Sequence, residues 1–109
     1  MSEFTQIRFE ELTQVLSSRS EIKVIPKALK KRFGKAEVQD SEKEIGAYFF
    51  KDDSGNEYSL FQRFYDDHNY LMKFLIRKTF WTSSNQEELM LQSSSNDITQ
   101  FLEWIGVKS

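Results

Sequence analysis

Asp66, Asp67 and His68 are adjacent residues whose side chains are of the types that bind metal ions or transfer protons. His68 is the only histidine and cysteine is absent, so a metal site would depend on carboxylates. Side chains that are neighbours in sequence point in different directions and rarely converge on one ion. We therefore expect an exposed turn that caps the next element, with a magnesium-type carboxylate site as the alternative.

The other arrangements that would support catalysis are incomplete. A calcium-binding loop starting at Asp52 would need glycine at its sixth position and a carboxylate at its twelfth, where the chain has Glu57 and Arg63. No serine lies in a Gly-x-Ser-x-Gly context, and the four glycines are isolated rather than grouped into a phosphate-binding loop. We therefore predict a protein that is not an enzyme and has no cofactor and no metal.

A basic cluster lies on and beside a predicted helix that begins at Pro26. Its members are Lys23, Lys27, Lys30, Lys31, Arg32 and Lys35. Such a face can contact phosphates. However, the whole chain has a net charge of −2 and lacks the aromatic signature of an RNA-recognition sheet. We expect a solvated helix face, and a nucleic-acid-binding module that uses residues 27–35 is the alternative.

The clearest pattern is an aromatic hairpin. Residues 44–51 and 57–65 are aromatic-rich runs around a turn-forming segment at 52–56, which predicts two antiparallel strands. Both faces of this hairpin are apolar, whereas a half-buried strand alternates apolar and polar residues. Either the sheet is covered on both sides, or one aromatic face is exposed and docks a protein.

Residues 40–67 carry eight acidic and three basic side chains, which favours the docking interpretation. The predicted partner-binding residues are Glu44, Tyr48, Phe50, Asp52, Asp53, Glu57, Tyr58, Phe61, Tyr65, Asp66 and Asp67.

The N-terminal half is predicted to be mainly helical. Phe9, Leu12 and Val15 recur at helical spacing and predict a helix over 7–18. A second helix is expected from Pro26 to a stop at Gly34. Between them, the run that includes Ile22, Val24 and Ile25 is either a short strand or part of the core.

The C-terminal half is expected to complete the sheet and cover one of its faces. Residues 66–82 are ambiguous between a strand and a helix capped by Asp66 or Asp67. We favour a strand over about 71–81, because a hairpin needs a third strand to be stable. A short strand is expected near 88–92. A final helix is predicted with Ser95 as its N-cap, Asp97 in its first turn and Gly106 as its stop.

The chain is thus predicted to be a single α+β domain over residues 1–109. We expect an antiparallel sheet of about four strands built on the central hairpin, with two N-terminal helices and one C-terminal helix. The sequence shows no leader segment, no run long enough to span a membrane and no cysteine. These features favour a cytoplasmic protein, and the sequence leaves open whether it is a monomer or a homodimer.

Three segments carry a resemblance to a known group of proteins. Residues 31–35 (Lys-Arg-Phe-Gly-Lys), the hairpin at 47–60 and residues 101–105 (Phe-Leu-Glu-Trp-Ile) resemble small bacterial and phage-associated α+β proteins. Some of these look like immunity proteins that neutralise toxins. The chain departs from that pattern at Tyr48, where tryptophan is common, and in extra residues around 67–82.

The resemblance implies a non-catalytic inhibitor that binds a cognate toxin. If that toxin were a cationic nuclease, the acidic hairpin would steer the two proteins together and block the substrate groove. A phage-type inhibitor of a host defence nuclease is a further alternative that would use the same surface.

Overall fold

The computed structural model describes residues 3–107, and the predicted hairpin lies at its centre. Strand β3 (Glu44–Asp52) pairs antiparallel with strand β4 (Glu57–Arg63). Tyr48 lies opposite Leu60, and Phe50 lies opposite Tyr58. The hairpin prediction is therefore confirmed.

Three further strands extend the hairpin into a five-stranded antiparallel sheet. They are β1 (Phe4–Ile7), β2 (Ser18–Val24) and β5 (Glu87–Ser93), and the order across the sheet is β1-β3-β4-β5-β2. The strand expected near 88–92 is confirmed as β5, and the strand interpretation of Ile22 and Val24 is confirmed as β2. The sheet has one strand more than predicted.

Three helices pack with the sheet: α1 (Pro26–Phe33), α2 (Tyr70–Trp81) and α3 (Thr99–Ile105). Helix α1 begins at proline and ends where Gly34, at φ 85°, donates its amide to the Lys30 carbonyl.

Helix α3 ends at Gly106 as predicted, but it begins at Thr99 rather than after Ser95. Instead of capping the helix, Ser95 accepts a hydrogen bond from the Asp97 amide at 3.2 Å. The Asp97 carboxylate in turn accepts from the Thr99 amide.

The predicted helix over 7–18 is wrong, so within residues 3–107 one α-helix precedes the hairpin rather than two. Only Phe9–Glu11 forms a 3-10 turn, and the chain then runs as a covering loop to β2. Val15, part of the proposed apolar stripe, is 84% exposed. Tertiary hydrogen bonds to the hairpin outweigh the helical spacing of this segment.

The predicted strand over 71–81 is also wrong, because this segment is helix α2. Asn69 is its N-cap and accepts from the Met72 amide at 2.9 Å. Asp66 and Asp67, the caps considered from the sequence, precede it. The hairpin does have neighbouring strands as expected, but they are β1 and β5.

Each face of the sheet has its own apolar core. The larger core lies under the helices and includes Phe50, Leu60, Leu91 and Phe101, all at most 1% exposed. The smaller core lies on the opposite face, where Ile7, Ala47 and Phe49 pack with Leu12 and Phe61. Both faces are therefore covered, which is the first of the two interpretations of the hairpin.

Helix α2 is fixed to the start of β3 by its inner side. Arg77 donates to the carbonyls of Ser41, Glu44 and Ile45 at 2.7–3.2 Å. The Trp81 indole donates to the Ile45 carbonyl at 3.1 Å. The ring lies so close to Gly46 that a Cβ there would be 2.9 Å from it. This contact explains why position 46 carries glycine.

Candidate protein-binding surface

Three aromatic rings predicted to contact a partner are buried in the larger core. Tyr48, Phe50 and Tyr58 are at most 3% exposed. The Tyr48 hydroxyl donates to the Gly34 carbonyl at 2.7 Å, and burial raises the pKa of Tyr48 to about 12. The expectation that these rings form an exposed face is corrected: helices α1 and α3 cover them.

Asp52 is also buried, and it organises the hairpin turn. Its carboxylate accepts from the Tyr58 hydroxyl at 2.9 Å and from the amides of Ser54 and Asn56. Burial alone raises the pKa of the Asp52 carboxyl, but these hydrogen bonds outweigh it and the pKa lies below its usual value. Burial and the neighbouring carboxylate raise the pKa of Tyr58 above its usual range. Asp52 thus stabilises the turn.

Glu57 holds the covering loop against the sheet. Its side chain, 3% exposed, accepts hydrogen bonds from the amides of Thr13 and Gln14 at 2.7–3.2 Å. Gln14 also donates its side-chain amide to the Gly55 carbonyl. Among residues 3–107 this buried carboxylate has no ion pair, so hydrogen bonds alone stabilise its charge.

The remaining acidic residues of the predicted site do not form one surface. Asp53 is exposed at the hairpin turn, where its amide donates to the Glu3 carbonyl. Glu44 is half-buried at the opposite end of β3 and accepts from the Asp40 amide at 2.7 Å. The length of the hairpin separates the two.

The last four predicted residues lie in and after β4. Phe61 is half-buried in the smaller core, and Tyr65 is 83% exposed. Asp66 and Asp67 are exposed in the turn before α2, and Asp67 lies 4.0 Å from the Lys73 ammonium. Within residues 3–107, no group of three or more His, Asp or Glu side chains is arranged to hold a metal ion.

Helix α2 carries an exposed apolar surface that the sequence analysis missed. Five large side chains on it are 43–88% exposed; we call them the outer face of α2, and they are Tyr70, Leu71, Met72, Phe74 and Leu75. Leu71, Phe74 and Leu75 are neighbours on the helix because they are three or four residues apart. The opposite side, with Ile76, Phe80 and Trp81, packs into the core. The sequence does carry a signal for this surface, because apolar residues recur at helical spacing on both sides of the α2 segment.

A basic cleft adjoins this outer face. It lies between α1 and α2, has a volume of about 250 Å³ and includes Phe74 in its lining. Exposed Lys30, Lys35 and Lys78 line it together with buried Ile45 and Trp81.

Helix α1 therefore contributes part of its predicted basic cluster to the cleft. Arg32 does not take part, since it donates to the Trp104 carbonyl at 2.6 Å and stacks on that indole at 4.4 Å. Lys27 and Lys31 are exposed outside the cleft.

A second cleft lies on the other side of Phe74 and is mixed in charge. Glu42, Asp67 and His68 line it, but so do Lys73 and Arg77. Lys73 is near Asp67, as described above, and Arg77 is hydrogen-bonded to backbone carbonyls. The His68 ring lies 6.4 Å from that of Phe64. The charges in this cleft largely compensate one another.

No protein-family model matches the chain, and no curated protein is similar to it in sequence. Within residues 3–107, none of the helices has the length and apolar character needed to cross a bilayer.

Proposed function

We propose that this protein acts by binding another protein through the outer face of α2. The observation that carries the proposal is the exposure of five large apolar side chains on one 12-residue helix. Contiguous apolar surface of this kind is typical of interaction sites, because it gains free energy when a partner removes it from water.

The way in which α2 is anchored supports a preformed docking surface. Arg77 and Trp81 fix the inner side of the helix through three hydrogen bonds to carbonyls of β3 and one to the Ser41 carbonyl just before it. The outer face is therefore held by a rigid element, and a partner would not have to order it. Preorganisation of this kind lowers the entropic cost of association.

The kind of partner that we propose is a cognate toxin, as in the immunity proteins that the chain resembles. The argument for a nuclease toxin loses part of its support, since Asp52 and Glu57 are buried and do not present charge to a cationic groove. A phage-type inhibitor of a host nuclease would use the same helix, and the identity of the bound protein distinguishes the two.

Site-specific photo-crosslinking in the native cells tests the proposal. A benzophenone amino acid replaces Leu71 in one variant and Val15 in the other; both side chains are exposed, at 64% and 84%. We expect a discrete crosslinked product from position 71 and none from position 15, because Val15 lies in the loop that covers the opposite face of the sheet.

Binding of the purified crosslinked partner then provides the quantitative test. Leu71→Asp is expected to weaken binding by a factor of ten or more, because it puts a charge into an apolar interface, and Val15→Asp to leave it unchanged. Equal crosslinking at both positions would contradict the proposal. A product with twice the mass of the chain would identify the face as a homodimer interface instead.

A further inference from the structure

We infer that the partner presents an acidic segment with a large apolar or aromatic side chain, and that this side chain enters the basic cleft between α1 and α2. The inference rests on the proposed function and specifies the chemistry of the partner. It is based on the lining of the cleft, its charge, and its continuity with the outer face of α2.

The cleft has an apolar floor that can accept a side chain. Ala36, Val38, Ile45 and the Trp81 indole line it, and Phe74 forms its border with the outer face of α2. A volume of about 250 Å³ is below the usual range of small-molecule pockets, roughly 300–1,000 Å³, and is adequate for one large side chain. A partner lying on Leu71 and Phe74 would be positioned to insert such an anchor.

All the charged side chains that line the cleft are positive. Lys30, Lys35 and Lys78 line it with Arg77, and no Asp or Glu does. Arg77 is committed to backbone carbonyls, but none of the three lysine ammonium groups has an ion pair within residues 3–107. Three unpaired cations around an apolar floor are complementary to carboxylates that flank an apolar anchor.

A protein segment fits these observations better than a nucleic acid does. The apolar surface continues from the cleft along α2 to Leu71 and Leu75, which offer no phosphate contacts. Nucleic-acid affinity would instead come from all exposed cations of α1, including Lys27 and Lys31, which lie outside the cleft. This difference provides a matched control.

The first test uses a synthetic peptide in which one tryptophan is flanked by glutamates, with the protein labelled with 5-fluorotryptophan. The protein has two tryptophans: Trp81 lines the cleft, whereas Trp104 lies on α3 and packs against the larger core. We expect the peptide to shift the ¹⁹F resonance of Trp81 and not that of Trp104. Peptides with tryptophan replaced by alanine, or glutamates by glutamines, should bind more weakly. No shift of Trp81 at millimolar peptide would overturn the inference.

Two double variants with the same change in charge separate the cleft from the rest of α1. Lys30→Gln/Lys35→Gln removes two cleft lysines, one on α1 and one just after it, and Lys27→Gln/Lys31→Gln removes two exposed lysines of α1 outside the cleft. We expect the first to weaken peptide binding about tenfold and the second less than about twofold, since only the first pair faces the carboxylates. Circular dichroism checks that both variants are folded.

The same variants, measured with the partner crosslinked at position 71, distinguish this inference from the proposed function. If that partner binds Lys30→Gln/Lys35→Gln as tightly as the unaltered protein, the acidic-segment inference is wrong and the docking face stands. If no partner crosslinks at position 71, the proposed function itself fails. Equal weakening by both double variants, with tighter binding of a single-stranded oligonucleotide than of the peptide, would identify a nucleic-acid surface instead.

Discussion

The hairpin of β3 and β4 and the helix α2 each carry large apolar side chains on two opposite sides. The hairpin is covered on both, by α1 and α3 on one face and by the loop over 8–17 on the other. Helix α2 is covered on one side only, and its outer face remains exposed. The hairpin and α2 are therefore both apolar on two sides, but only α2 exposes one of those sides to solvent.

The difference arises from the segments that flank each region in the chain. The hairpin has a preceding segment, Arg8 to Ser17, that folds back over it and is held by Glu57. Helix α2 is followed after a short turn by strand β5, which joins the sheet. The chain therefore does not fold back over the outer face of α2 at this point. An apolar excess in the sequence thus does not by itself indicate which surface is buried; the segments that pack over each region determine that.

The largest expected effect separates the two regions by stability. Phe50→Ala in the hairpin should lower the free energy of unfolding by about 3–5 kcal/mol, because Phe50 is fully buried among Phe33, Phe101 and Trp104. Phe74→Ala on α2 should change it by less than about 1 kcal/mol, because half of that ring is exposed and alanine favours helix.

Urea denaturation of the two variants measures both quantities. A loss for Phe74→Ala as large as that for Phe50→Ala would mean that the outer face of α2 is part of the core, and the comparison would fail.

The sequence predicted the elements whose local signals agree with the tertiary structure. The hairpin, α1 and the end of α3 all have turn or stop residues at the correct positions, such as Gly34 and Gly106. The strand β5 was also found. These parts fix the fold class, and they required no knowledge of distant contacts.

The two wrong elements had different causes. The segment with helical spacing at Phe9 and Leu12 forms no α-helix, because it is held by hydrogen bonds with Glu57. That residue lies more than 40 positions away in the sequence. A strand was favoured over helix α2 because the hairpin needs a neighbouring strand, but β1 and β5 fill that place. The burial of the hairpin rings could not be predicted either, because it depends on what packs over them, and the sequence left that open.

The second prediction concerns the cover of the hairpin rather than its core. Glu57→Gln should lower the free energy of unfolding by about 1–2 kcal/mol, because it weakens charge-assisted hydrogen bonds to the amides of Thr13 and Gln14. Amide hydrogen exchange at these two residues should become faster. Asp53→Asn, a similar change at an exposed hairpin carboxylate, is the control and should cost less than about 0.5 kcal/mol. Unchanged exchange at Thr13 in Glu57→Gln would show that the loop is held by other contacts.

The smallest expected effect is a pH dependence at the hairpin turn. The pKa of Asp52 is lowered in the folded protein, where Tyr58, Asn56 and Ser54 donate to its ionised form. A lowered folded pKa stabilises the native state above the unfolded pKa of about 3.9, and this contribution is lost as the pH falls through the folded value.

Asp52→Asn should therefore be less stable than the unaltered protein at pH 6, by about 1 kcal/mol, and the difference should shrink as the pH falls below about 4. Urea denaturation at a series of pH values measures it. Asp53→Asn serves as the control, because the Asp53 carboxylate is exposed and accepts no hydrogen bond from residues 3–107. A difference between Asp52→Asn and the unaltered protein that stays constant down to low pH would mean that Asp52 acts through packing rather than through its charge.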